Sequence, residues 1–95
     1  AAGGAPPTST VGAPAAPTAD PATLNAEGLN VVKTAIANNG GTSTQRADLS
    51  QVIFTSYAGN PIKDALLSHI FQAEFLSHLA VSGFAVSGET ITPTS

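Results

Sequence analysis

The chain has no cysteine, methionine or tryptophan, a single tyrosine, and few charged side chains, three cationic and six acidic among 95 residues. Without cysteine there is no disulfide and no thiolate zinc site, and two histidines alone do not make a structural zinc centre. Charged residues make up 9% of the chain, against about 25% in an ordinary soluble domain. The surface must therefore consist mainly of Ser, Thr, Asn, Gly and Ala, a composition that suits a face covered in use. Lys33, Arg46 and Lys63 are far apart in sequence and form no basic stripe, so a phosphate backbone finds no counter-charge and nucleic acid is not an expected partner.

Other absences narrow the chemistry further. Gly3-Gly4 and Gly40-Gly41 lack the Gly-Lys-Ser/Thr ending of a phosphate loop, and no serine sits in a Gly-x-Ser-x-Gly elbow. None of Asn25, Asn30, Asn38, Asn39 and Asn60 opens a glycosylation sequon. The start of the chain shows no basic region followed by an apolar run, so no secretory leader is expected there. Ala1 fits loss of an initiator methionine or cleavage of a longer precursor. The most apolar stretch, residues 61–82, is interrupted by Lys63, Asp64, His69, Gln72, Glu74 and His78, which argues against a membrane span. It also lacks the basic polar face that would hold it on an anionic membrane surface.

What is present begins with an unusual lead segment. Ala1 to Ala19 carries no charge, four prolines, three glycines and no apolar side chain larger than Val11. Ordering a chain costs about 1–2 kcal/mol per residue, and this segment has too little apolar surface to offset that by itself. Contacts supplied by other molecules are the expected source of any fixed shape. Residues 1–20 are accordingly read as an extended low-complexity arm, residues 21–83 as a helical core and residues 84–95 as an extended C-terminal segment.

Three helices are expected in the core. Asp20-Pro21 offers an N-cap followed by proline at the first helical position. Leu24, Gly28, Val31, Val32, Ala35 and Ile36 then recur at helical spacing, with Asn25–Asn38 as the firmest portion, and Asn38-Asn39-Gly40-Gly41 tolerates the left-handed geometry of a helix end. In residues 46–58 the run Val52-Ile53-Phe54-Thr55-Ser56-Tyr57 favours a strand by propensity. The spacing of Leu49, Val52, Ile53, Ser56 and Tyr57 favours a helix, and periodicity is given precedence. Thr44 or Asp48 is the candidate cap, the latter with Gln51 in a capping box. Gly59-Asn60-Pro61 then ends one helix and opens the next. That third helix is expected to run from Pro61 to about Ser82, with Ile62, Leu66, Ile70, Ala73 and Ala80 on one stripe and Leu67, Phe71, Phe75 and Leu79 on its neighbour. Together the stripes cover so wide an arc that the helix should touch its own core on one side and a partner on the other. Beyond Gly83, the residues Phe84, Val86 and Ile91 flank a turn at Ser87-Gly88, and this segment could lend an edge strand to another chain.

Candidate chemistry has bland explanations. His69 and His78, nine residues apart, would stand on opposite sides of one continuous helix and could not share a metal. Glu74 and His78 face each other at i, i+4, an arrangement that can orient an imidazole but is ordinarily a surface or interface pair. Asp64 is explained by the dipole of the first turn of the third helix. Phe54, Tyr57, Phe71, Phe75 and Phe84 are expected in the core, with a lipid-binding groove as the functional variant.

The fold class read from these features is mainly α: a small three-helix core with an extended Pro/Ala-rich N-terminal arm and a short extended C-terminal segment. The function expected is that of a non-enzymatic structural subunit of a capsid, capsid decoration or filament, extracellular or in a virion, with no cofactor and no metal. Its partners would be other copies of itself or a host assembly protein, met through Val11, Pro14, Pro17, Leu67, Phe71, Phe75, Leu79 and Phe84. The alternative is a small secreted helical protein that binds lipid or perturbs membranes, with the Phe71 and Phe75 face exposed or lining a cavity.

Overall fold

A computed structural model describes residues 19–94, and the expectations placed on Val11, Pro14 and Pro17 lie outside the described residues. The described chain is mainly α. It contains helices α1 (Pro21–Asn38), α2 (Arg46–Ser56), α3 (Lys63–His69) and α4 (Ala73–Val81), with short strands β1 (Thr44–Gln45), β2 (Phe84–Ser87) and β3 (Thr90–Pro93).

Helix α1 follows from local rules at both ends. The Asp20 carboxylate accepts the Thr23 amide at 2.8 Å and Pro21 opens the first turn. A cap of this kind is worth about 1 kcal/mol. At the other end Gly40 and Gly41 take φ values of 88° and 87°, with Gly41 N–H donating to Ile36 C=O and Gly40 N–H to Ala37 C=O. Those paired bonds are a Schellman closure, which needs residues able to adopt positive φ. Between the ends, the six residues of the predicted stripe are the buried ones.

In residues 46–56 helical periodicity prevails over strand propensity. Leu49, Val52 and Ile53 are buried on α2, while Phe54 points outward. Asp48 is at the third helical position rather than at the cap, where it accepts the Gln45 amide at 3.0 Å, and Gln51 has no part in it. At the α2–α3 corner Gly59 has φ 77°, and the Asn60 side chain accepts the Ile62 amide at 3.0 Å. Helix α3 therefore begins at Lys63, two residues later than Pro61.

The expected third helix is broken into α3 and α4, so the core has four helices rather than three. Gln72 adopts an extended backbone, φ −87° and ψ 150°, and serves as the N-cap position of α4. In one straight helix Phe75 would stand about 180° around the axis from Leu66, and only one of them could face α1. The break lets both do so: Leu66, Ile70, Phe75 and Leu79 are all fully buried. The wide apolar arc seen in the sequence thus comes largely from two inward faces in succession.

Residues 84–94 form a hairpin within a three-stranded antiparallel sheet of order β1-β3-β2. Gly88, φ 62°, supplies the positive φ that a two-residue hairpin loop requires of its first residue. Phe84 pairs with Pro93 and Val86 with Ile91, while Thr44 joins Ile91 from the other side. Phe84 and Ile91 close the core from beneath the helices, and Thr44 is buried beside them. Of the expected core aromatics, Phe75 and Phe84 are buried, Tyr57 is half-buried, and Phe54 and Phe71 lie outside. The last two are displaced by the helical register of α2 and by the α3–α4 break.

Candidate assembly surface

Three polar clusters tie the elements together, and all serve the fold. His69 is 4% exposed, with Nε2 at 2.7 Å from Asn25 Oδ1. With the amide oxygen as acceptor, the imidazole donates from Nε2, and its ring lies 5.7 Å from that of Phe75. On the opposite side of α1, the Tyr57 hydroxyl donates to the Glu27 carboxylate. Burial, then the Glu27 hydrogen bond and charge, raise the Tyr57 pKa well above that of a free phenol. At the start of α2 the Asp48 carboxylate collects donors from the Gln45 amide, the Thr44 hydroxyl and the Asn39 side chain. Its pKa is lowered chiefly by the Gln45 amide, then by Thr44, with Asn39 contributing less.

Arg46 joins three elements at once. Its backbone N–H donates to Glu89 C=O at 2.8 Å. The guanidinium donates to Phe71 C=O at 3.3 Å, stands 4.9 Å from the Phe71 ring centroid and lies 3.9 Å from Glu89. Glu89 is largely exposed, so this ion pair contributes at most about 1 kcal/mol. Lys63 covers Phe54 in a similar way, with Nζ 5.7 Å from that ring centroid.

His69 is engaged within the core, while His78 is half-buried near the end of α4 and Glu74 is exposed near its start. Among the described residues no group of three His, Cys, Asp or Glu side chains is placed to hold a metal ion, and no helix is long and apolar enough to cross a membrane.

Among the described residues an open groove of about 580 Å³ lies between α4 and β2. Ala73, Leu76, Ser77 and Ala80 form its helical wall, and Phe84, Ala85 and Val86 its strand wall. Among the described residues no charged side chain lines it. At the end of α4, Val81 is 83% exposed.

Against this geometry the expected interface residues separate. Phe75 and Leu79 are fully buried, and Phe84 is 8% exposed. Phe75 and Leu79 therefore have no surface to offer a partner, and Phe84 reaches the surface only as part of the strand wall. Leu67 is half-buried, and Phe71 is exposed beneath Arg46. Leu76, Ala80 and Val86, which line the groove, are not among the expected interface residues. For Leu76 and Ala80 there is a signal in α4, where positions 73, 76, 77 and 80 follow helical spacing away from the Phe75 and Leu79 face, whereas Val86 on β2 has none.

Comparison of the chain with protein families, with characterised proteins and with solved structures finds no match.

Proposed function

We propose that this chain is a non-enzymatic structural subunit of a larger assembly, a capsid, capsid decoration or filament, in which the Pro/Ala-rich arm packs on neighbouring copies or on a host assembly protein. The observation that supports the reading is the uncharged groove between α4 and β2, open to solvent along one helix and one strand. A contiguous apolar surface of this kind marks an interaction site more often than an isolated exposed Leu or Val does. The arm supplies the complement: it is as free of charge as the groove and has no way to order itself.

Two other partners fit less well. Two short helices joined by a tight turn resemble the arrangement that carries a reading helix into the DNA major groove. The exposed positions of α4, however, are Ala73, Glu74, Ser77, Ala80 and Val81, with no Lys or Arg, and the chain carries a net charge of −3. A phosphate backbone would be repelled. Lipid binding through an exposed Phe71 and Phe75 face is the less favoured reading, since Phe75 lies inside the core.

Native mass spectrometry and sedimentation velocity on the whole chain, compared with a variant lacking residues 1–19, test the reading. Oligomers of the whole chain are expected, with marked loss on deletion while the far-ultraviolet circular dichroism of the core persists. A whole chain that remains monomeric at high micromolar concentration, alone and with candidate host proteins, would reject the structural-subunit reading. Oligomers that survive the deletion unchanged would reject the role of the arm.

A further inference from the structure

Among the described residues strand β2 is an edge, since the sheet order β1-β3-β2 leaves it bonded on one side only. The phase of the hairpin fixes which of its backbone groups are free. Thr94 N–H donates to Gly83 C=O, so positions 83 and 94 form a hydrogen-bonded pair and the next pair, Phe84 with Pro93, does not. Proline, which has no N–H, fits that position for the same reason. By the alternation of an antiparallel ladder, Ala85 and Ser87 bond toward β3, while the N–H and C=O of Phe84 and Val86 point away from it. These same two residues help to line the apolar groove against α4. Backbone donors and acceptors at i and i+2, next to a groove for alternate side chains, are what strand addition by an extended peptide requires.

The arm contains one run suited to that edge. Residues 8–13, Thr-Ser-Thr-Val-Gly-Ala, form its longest proline-free stretch and hold its only β-branched residues besides Thr18. Every residue of the run has the N–H that Pro6, Pro7, Pro14 and Pro17 lack. Its side chains are small and uncharged, as the groove is. The six residues from Pro14 to Ala19 can span about 20 Å, a length that would allow the run to reach a neighbouring copy.

We propose that residues 8–13 of a second copy add as a strand to the free edge of β2, with Val11 seated in the groove against Leu76, Ala80 and Val86. This rests on the assembly reading above and gives that assembly its contact: each copy donates one arm and receives another. Donor and acceptor sites are different surfaces, so the interaction is head-to-tail and builds rings or filaments according to whether its rotation closes.

The test uses the whole chain carrying Val11→Pro, which removes one donor from the added strand, or Ala80→Glu, which puts a charge at an exposed position of the groove. A third variant, Val11→Lys, is combined with Ala80→Glu to restore complementarity. Sedimentation equilibrium is expected to show each single variant weakening association at least tenfold and the Lys/Glu combination recovering most of it. Amide exchange at Phe84 and Val86 should slow with protein concentration in the original chain and not in Val11→Pro. Unchanged association in Val11→Pro and Ala80→Glu, with loss only on deletion of residues 1–19, would overturn this contact while leaving the assembly reading intact. Protection of Phe84 and Val86 that is independent of concentration would show the arm on its own β2 and overturn donation between copies. A chain that is monomeric under all conditions would remove both.

Discussion

Phe75 rests directly on Gly28: a Cβ built at position 28 would come within 2.5 Å of Phe75 Cε1 and 2.8 Å of Cζ. Glycine in mid-helix costs about 1 kcal/mol relative to alanine, and here that cost permits the close approach of α1 and α4. Because Phe75 is fully buried, its ring has no open space to retreat into. Gly28→Ala should therefore be destabilising by about 1–2 kcal/mol net, overpacking of about 1–3 kcal/mol outweighing the gain in helix propensity. For a domain of this size that lowers the melting temperature by several degrees. Phe75→Leu alone should also destabilise, by leaving a void. The double variant should lose less than the sum of the two, and thermal melts of the full cycle check the coupling. Strict additivity would show that the two sites are independent.

The same pair shows how far the sequence could be read. The periodicity of α1 placed Gly28 on the inward face, and the local chemistry of Asp20-Pro21 and Gly40-Gly41 marked the ends of that helix, because caps and stripes are short-range properties. Phe75 was placed on a stripe but not on its true neighbour. No proline or glycine marks the α3–α4 break at Ile70–Gln72; it is imposed by the need of Leu66, Ile70, Phe75 and Leu79 to face one core. Tertiary packing of that sort leaves no local signature. The glycine of the expected Ser87-Gly88 turn marked the hairpin one residue early, since Ser87 pairs with Thr90 and the loop is Gly88-Glu89, whereas β1 is two residues long and exists only because β3 is beside it. For the surface, the open groove became visible only once α4 was separated from α3 and β2 was known to be an edge.

Tyr57 and Glu27 form a pH-sensitive link between α2 and α1. The folded state raises the phenol pKa above its unfolded value of about 10, through burial first and Glu27 second. Stability from this group is therefore fully present below about pH 10 and is lost as the pH rises toward the folded pKa. Urea midpoints should fall more steeply above that pH in the original protein than in Tyr57→Phe. At neutral pH the variant should be less stable by about 1 kcal/mol, the size of a hydrogen bond to a partly solvated carboxylate. As the chain has one tyrosine and no tryptophan, ultraviolet absorbance of the phenolate follows this titration directly. Parallel alkaline profiles for the two proteins would contradict the assignment.

Asp48 gives the acid limb. Its carboxylate is held ionised by the Gln45 amide, with help from Thr44 and Asn39, so its folded pKa lies below the ordinary value of 3.8. The sign is opposite to that of Tyr57: the stabilisation is present above the unfolded pKa and disappears as the pH falls through the folded one. Asp48→Asn keeps an acceptor oxygen but loses the charge. The variant should be less stable than the original protein near neutrality, and the gap should narrow below about pH 4. Denaturation midpoints measured across that range decide the matter, and a gap that stays constant with pH would show that the charge is not what counts.

Asn25 tests whether His69 is structural. The imidazole is almost wholly buried and Asn25 Oδ1 accepts from its Nε2 at 2.7 Å. Removing the acceptor with Asn25→Ala leaves a buried donor to be satisfied by water or not at all, at a cost of about 1–3 kcal/mol. Asn25→Asp keeps an acceptor oxygen and should retain most of the stability. His69→Leu removes the donor and should restore part of what Asn25→Ala loses when the two are combined, because an apolar pair of similar shape leaves nothing unpaired. Sedimentation of these variants should show association unchanged once each is fully folded, since neither residue lines the α4–β2 groove. Loss of association in a folded Asn25→Ala variant would instead move the interface toward the α1–α3 face and away from β2.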